Sequence, residues 1–485
     1  MNWKLLQGLL GRLFIAYGLV MIAPIMTAVY YREYTVRGFA PTAAVLVLLG
    51  LTMLKKGSRI QERFSPREGL VIVALIWLTT SLFGACAFYL TGYFPSFIDA
   101  FFESVSGLTT TGASVLPDLE TMPRSIVFWR SISHWLGGMG IIVLFIIFLP
   151  NIGMGAVHLF NTEVPGPLAE KVMPKIKDTA RTLWLIYSAM TVLCALLLLL
   201  AGMPIFEALN HALALVSGGG FSTRTAGVSS FHSLAVELIF VIFMFLNAIN
   251  FNLYIHAWRH RSLLSFNDPE FKLYGAIIAF AFCFVTLSLV IQQQMEFFTA
   301  VRQSLFQVVA MSTTTGYATV DYNQWPAFAQ FVLFVLMFAG GCSRSTAGGI
   351  KIVRVLVLFK LAWTQIKQAI HPRLVVNILI RDKVVDYNIL AKVGGFVFLY
   401  FIVFFVASLL LTITGLEIFD AMAAAIASLS NVGIGFGLSG PMANYASIAP
   451  FGKLVLTICM LIGRLEVLPF LVFLQPAFWK PIKKW

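Results

Sequence analysis

Long apolar runs alternate along this chain with short polar segments that hold most of its lysines and arginines. The runs at 9–30, 39–54, 70–91, 126–149, 183–200, 234–254, 273–291, 393–411 and 451–473 are predicted to be membrane spans, which need about 20 apolar residues. Four shorter segments, 97–109, 206–216, 300–311 and 419–430, break the rhythm. At about 1.5 Å rise per residue they cannot cross ~30 Å of hydrocarbon, so each is predicted to enter as a half-helix and turn back. Each leads into a glycine-bearing segment: TTTGAS around Gly112, GGGFST around Gly220, TTTGYA around Gly316 and NVGIGF around Gly433. The order span, half-helix, glycine loop, span therefore occurs four times. The first two runs lack such a loop and are predicted to form a peripheral helical pair, the first of them bent at Pro24.

One glycine-rich segment reads equally well as a helix end with a turn. Four copies in one phase, roughly a hundred residues apart, point instead to four similar loops meeting at a common axis. The position matching Asp99 in the first copy is Glu207, Gln303 and Asp420 in the others, so the repetition extends through the half-helices. Glycine at the axis lets backbone carbonyls face inward with nothing bulky in the way. Irregular backbone at this depth is tolerable when it lines a cavity or is buried in protein. The candidate selectivity filter is Thr110, Thr111, Gly112, Gly219, Gly220, Thr314, Thr315, Gly316, Val432 and Gly433. Half-helix C-termini aimed at the centre would favour a cation without a fixed charge. A ring of backbone oxygens suits potassium, which is large and weakly hydrated; the threonine hydroxyls would supplement the ring or support it from behind.

The third return span departs from the others. Residues 327–339 are apolar, but Gly340, Gly341, Cys342, Ser343, Arg344, Ser345, Thr346, Ala347, Gly348 and Gly349 follow before a helical pattern resumes at 350–363. This reads as an intramembrane gating loop below the third filter segment, or alternatively as a glycine-capped helix end followed by a cytoplasmic amphipathic helix. In the last span, Arg464 and Glu466 stand in an apolar stretch. Arginine is costly there, so Arg464 is expected to face the pore beside water or carbonyls, or to be held in a stabilising pair.

Composition agrees with the pattern: 485 residues, 59% hydrophobic and 11% charged, describe a polytopic membrane protein. The net charge of +13 does not signal nucleic-acid binding, because the basic residues sit in loops between apolar runs. Their distribution places both termini and the loops between repeats on the cytoplasmic side. The filter segments then open outward, with Asp99, Glu103, Asp118 and Glu120 as acids that would concentrate cations at the mouth. Five scattered cysteines imply neither a disulfide framework nor a metal site. Asn247, Asn250 and Asn252 are expected to bond between helices or to face the pore, and Glu237 is a candidate ion-coupling carboxylate. No catalytic motif is present, and the chain is not expected to be an enzyme.

The fold expected is an all-α polytopic membrane protein with four pseudo-symmetric helix/pore-helix/helix repeats around one pore plus an N-terminal helix pair. Its divisions are 1–64 for the pair, then 65–178, 179–268, 269–386 and 387–485 for the repeats, with the gating loop at 340–349 in the third. A broken-helix secondary transporter, which would have a closed midplane cavity lined by mixed side-chain donors, is the rival class, and a non-transporting scaffold is a third.

The segments at 67–92, SVSGLTTTGAS at 104–114, WLGGMGIIVL at 135–144, SGGGFSTRTAG at 217–227, GGCSRSTAGGIK at 340–351 and SNVGIGFG at 430–437 together resemble the Trk/Ktr/HKT superfamily of potassium uptake proteins, most of all its bacterial TrkH/TrkG branch. The resemblance covers nearly the full length. It implies potassium uptake across the bacterial inner membrane, channel-like or coupled to protons or sodium. It also implies potassium bound at Thr111, Gly112, Gly219, Gly220, Thr315, Gly316, Val432 and Gly433 with no organic cofactor, a homodimer with one pore per protomer, and a cytoplasmic nucleotide-binding ring of the TrkA type as regulator. Two departures stand out: Arg344 occupies a gating-loop position where a small residue is usual, and NVGIGF lacks the threonines of the first and third copies.

Overall fold

The computed structural model describes residues 3–57, 66–140, 176–373, 378–380, 383–385 and 387–467, together with 470, 472, 475 and 476. Among these, six helices are long and apolar enough to cross a membrane: Trp3–Tyr30, Val36–Lys56, Glu68–Leu90, Asp178–Leu200, Pro269–Gln292 and Asn388–Thr412. The first is interrupted at Met21, between Trp3–Val20 and Ile22–Tyr30. Pro24 explains the interruption, since its ring conflicts with the carbonyl of Val20 one turn back and it has no N–H to donate. The two peripheral helices pack closely enough that a methyl group on Gly11 or Gly50 would press on the other's backbone.

The remaining chain forms four pseudo-symmetric units around one axis. Their pore helices are Phe97–Leu108, Ile205–Val216, Phe297–Ser312 and Ile418–Leu429, close to the half-helices expected. Short length follows from punctuation at both ends. The first begins where Ser96 Oγ accepts from Asp99 N at 3.1 Å and donates to Asp99 Oδ2 at 2.7 Å; Pro204 precedes the second. Asp99, Glu207 and Asp420 all lie in first turns, where a carboxylate complements the helix dipole. All four helices end in the glycine segments.

The return helices are Arg124–Gly138, Leu234–Asn247, Ala327–Ala339 and Pro450–Leu465; the third matches its apolar run at 327–339, and the other three are shorter than the runs that predicted them. In the first, residues 141–149 of the expected span lie outside the described residues. The second corrects the continuous span expected at 234–254: it breaks after Asn247, and Phe251–His260 leaves at 88°. Asn250 starts that second piece by accepting from Asn252 N at 3.0 Å through its side chain. The third stops at Gly340, and an amphipathic helix resumes over Ile352–Ile370. A two-residue antiparallel hairpin, Leu379–Ile380 with Lys383–Val384, interrupts the otherwise helical fold; Lys360 Nζ donates to Leu379 O at 2.6 Å.

Candidate pore and gate

The four glycine segments begin identically in backbone terms. Thr111, Gly219, Thr315 and Val432 each donate a backbone N–H to the carbonyl five residues earlier: Ser106, Ala214, Ala310 and Ala427, at 2.8 to 3.0 Å. The residue before each donor, Thr110, Gly218, Thr314 or Asn431, has positive φ. These are four Schellman-type helix ends. Glycine and asparagine suit that conformation, whereas threonine is uncommon there because it is β-branched. Thr110 at φ 57° and Thr314 at φ 54° are therefore held by their surroundings.

Beyond the helix ends the segments close into a ring. A Cβ on Gly112 would come within 2.8 Å of Gly220 N, and one on Gly220 within 2.6 Å of Thr315 O. A Cβ on Gly316 would overlap Val432 O, and one on Gly433 would overlap Thr111 O. Each segment thus abuts the next in chain order and the fourth returns to the first. Of the residues expected at the filter, Thr111, Gly112, Gly220, Thr315, Gly316, Val432 and Gly433 make these contacts, while Thr110, Gly219 and Thr314 precede them in the same segments. Above it lies an outward-opening cavity of about 170 Å³, whose lining includes Gly112, Gly220, Gly316 and Gly433.

Hydroxyls mostly brace the ring from behind. Thr109 and Thr313 donate to Val105 O at 2.8 Å and Val309 O at 2.7 Å, and pair with Thr111 and Thr315 hydroxyls at 2.7 and 2.8 Å. Asn431, not predicted as a site residue, donates through Nδ2 to Thr111 Oγ1 at 2.9 Å and Met460 O at 3.0 Å, fastening the fourth segment to the first. The asparagine in the otherwise threonine-poor fourth copy was the available signal.

The segment from Gly340 to Gly349 lies on the inner side of this ring and touches several units. Gly348 N donates to Thr314 Oγ1 at 2.6 Å, and a Cβ on Gly348 would overlap Ser430 O. Cys342 N donates to Ala248 O at 2.8 Å, Thr346 N to Asn247 O at 3.3 Å, and Phe251 N to Arg344 O at 3.2 Å. Arg344 lies at φ 57°, with Ser343 before it and Ser345 after it; Gly341 and Ala347 pack against each other. Two anchors come from charged side chains. Ser343 donates both N and Oγ to Glu270, at 2.5 and 2.8 Å, and Lys351 Nζ donates to Ala347 O. Glu270 was not singled out in the sequence, where it reads as the first-turn acid of a span.

Arg464 is beside carbonyls, one of the placements expected for it. Its guanidinium donates to Gly137 O at 2.5 Å, Gly138 O at 2.8 Å and Thr346 O at 3.0 Å. Glu466 pairs instead with Arg354 at 2.6 Å. Asn247 Nδ2 donates to Leu215 O at 2.6 Å, and Asn250 Nδ2 reaches Ser343 Oγ at 3.4 Å, so both asparagines bond between elements.

Of the four acids expected at the mouth, Asp118 and Glu120 lie in the outer loop, half-buried and exposed, and the other two are neutralised. Asp99 pairs with Lys453 Nζ at 2.6 Å and Glu103 with Arg130 at 2.7 Å, both buried, because a carboxylate on the inner face of a pore helix must be neutralised where it sits. Glu237 pairs with Arg302 through both carboxylate oxygens at 2.6 Å. Glu120 in the outer loop accepts from Thr225 N at 3.0 Å and Oγ1 at 2.5 Å. Burial works to raise the Glu120 pKa, but these bonds hold the carboxyl below its ordinary value.

Comparison with known proteins agrees with this geometry. Residues 39–480 match the family model described as "TrkH: Cation transport protein". The chain is similar to the Trk system potassium uptake protein TrkH of Salmonella typhimurium, 39% identical over 99% of this chain and 100% of that one. It is also similar to the Trk system potassium uptake protein TrkG of Escherichia coli K12, 35% identical over 96% of each. The crystal structure of the potassium transporter TrkH from Vibrio parahaemolyticus superposes with a TM-score of 0.89 at 34% identity, covering 99% of this chain and 100% of that one.

Proposed function

Because the chain belongs to the TrkH family of cation transport proteins, we propose that it takes up potassium across the inner membrane through the ring of four glycine segments. It is a transporter and not an enzyme. The observation that carries this reading is ring closure: each glycine abuts the next segment's backbone, and the fourth abuts the first. That closeness leaves backbone oxygens as the groups that can replace a permeant ion's water, which suits potassium. Potassium sits at Thr111, Gly112, Gly219, Gly220, Thr315, Gly316, Val432 and Gly433, favoured by four helix C-termini.

The segment Gly340–Gly349 is the gate. Its contacts on the inner side of the ring support this role, and Arg464 both bonds it at Thr346 and places a cation beneath the filter. A homodimer and a cytoplasmic ring resembling the TrkA-type subunit complete the assembly implied by the family resemblance. Flux is channel-like. Pairing of Glu237 with Arg302 supports this over coupling at Glu237.

Uptake of potassium and rubidium into proteoliposomes, with voltage and the sodium and proton gradients imposed separately, tests the reading. Voltage-driven rubidium uptake independent of both other gradients is expected. Uptake that vanishes without a sodium or proton gradient overturns the channel-like mechanism, and failure to accumulate rubidium under any condition overturns potassium uptake.

A further inference from the structure

A line of buried polar contacts runs behind the filter segments, and its ionic member is the pair Glu103–Arg130. Glu103 is fully buried and Arg130 is 1% exposed. Both Glu103 oxygens are committed to the strand leaving the first filter segment: Oε1 accepts from Ser114 Oγ at 2.9 Å and Oε2 from Val115 N at 2.9 Å. Arg130 Nε donates to the same Oε1 at 2.7 Å and an Nη donates to Ser114 Oγ at 3.2 Å. Its other Nη reaches Ser222 O of the second unit at 3.3 Å, and its guanidinium lies 3.8 Å from the ring centre of Phe221, the residue after Gly220.

The line continues in both directions. His134 stacks on Phe221 at 4.1 Å and accepts from Phe221 N at 3.3 Å through Nε2; its Nδ1 therefore carries the proton and donates to Gly107 O at 2.6 Å. Phe221 O accepts from Tyr317 OH at 2.8 Å, which reaches the third unit. Ser114 O accepts from Tyr445 N at 2.9 Å, while Tyr445 OH donates to Gly433 O at 3.0 Å, which reaches the fourth. One line of contacts thus runs through all four quarters; its single ion pair lies within the first, and Arg130 extends it to the second through Ser222 and Phe221.

The pore helices also show where the line is reinforced. The position of Glu103 is His211 in the second unit, bonded to Ser222 Oγ at 3.3 Å, and Gln307 in the third, bonded to Thr319 Oγ1 at 3.2 Å. In the fourth it is Ala424, which has no polar side chain. The polar brace is strongest where a charge-assisted, forked donor is available.

We propose that Glu103 and Arg130 are positioning residues for ion selectivity: they fix the width of the filter between the first and second quarters, and so its preference for potassium over sodium. This rests on the filter assignment above. A rigid ring at the wider spacing penalises sodium because the smaller ion cannot draw the oxygens inward; a loosened quarter lets it do so.

The test compares rubidium and sodium flux in proteoliposomes for Arg130→Lys, Glu103→Asp, Ser114→Ala and Gly112→Ser. Arg130→Lys keeps the charge but loses the fork to Ser222 and the flat contact with Phe221. Glu103→Asp keeps the carboxylate but withdraws it from Val115. Ser114→Ala perturbs the line with both charges intact and serves if either charge variant does not purify as a folded protein. The expected result is a roughly tenfold loss of rubidium preference with rubidium flux retained. Unchanged preference in the folded variants of this line while Gly112→Ser shifts it overturns the proposal and leaves the filter assignment standing. Unchanged preference in all four, Gly112→Ser included, removes the filter assignment and the proposal with it.

Discussion

Glu270 receives both the backbone N–H and the hydroxyl of Ser343, so one carboxylate at the start of the third unit holds the inner loop at its first turn. Hydrogen bonds to a charged acceptor contribute about 1.5–3 kcal/mol each. Glu270→Gln presents an amide N–H where Ser343 also offers donors, and the loop loses this tether. Basal rubidium flux without any regulatory subunit is expected to rise about tenfold. Ser343→Ala, which keeps the backbone bond, should produce a smaller rise. Flux identical to the parent in both variants would show that this tether does not hold the closed state.

Gly316 allows no substitution without movement of the ring, because its Cβ would overlap Val432 O. Its φ of 72° adds strain for any other residue. Gly316→Ser is therefore expected to lower potassium preference over sodium by about an order of magnitude, read as relative rubidium and sodium flux. A variant that folds and keeps its preference would exclude this glycine from the selective constriction.

Arg464 satisfies three carbonyls, two in the first unit and one in the gate loop. Arg464→Ala removes a cation below the filter and releases Thr346. Higher single-channel conductance or faster rubidium flux is expected, with a stability loss of about 3 kcal/mol or less by thermal denaturation in detergent. Loss of stability with unchanged flux in the protein that remains folded would assign Arg464 a structural role alone.

Glu237 is tied through both oxygens to Arg302, whose side chain is 49% exposed. A carboxylate held this way has little freedom to bind and release a coupling ion. Glu237→Gln should leave the dependence of uptake on sodium and proton gradients unaltered and cost about 1 kcal/mol of stability. A changed gradient dependence would restore Glu237 as a coupling residue.

Much of this architecture is legible in the order of residues because the relevant signals are local. The pore helices are bounded by Ser96, Pro204 and the glycine segments, and a helix too short to span is visible from length alone. The loop at Gly340–Gly349 is equally plain, since ten consecutive residues offer lipid almost no apolar side chain. What escaped depended on distant partners. The run at 234–254 carries no glycine or proline to mark its 88° break; the break follows from Asn247 and Asn250 bonding to other elements. Glu103 reads as an outer acid, and nothing local in the sequence marks Arg130 as its partner, until the fold brings them together behind the filter. Asn431 was visible as a residue suited to positive φ, but its bond to Thr111 was not.

That bond between Asn431 and Thr111 joins residues 320 apart in the chain. Tyr445 similarly reaches back to Ser114, and the first glycine segment needs the last to complete its ring. During synthesis, then, the first three quarters enter the membrane without the Asn431 bond to Thr111 or the Tyr445 bond to Ser114. Closure must wait for the C-terminal helices, which makes the pore a late product of assembly with high contact order. A chain cut short before Asn431 has no finished ion path, so an incomplete copy does not dissipate the membrane potential through a selective pore.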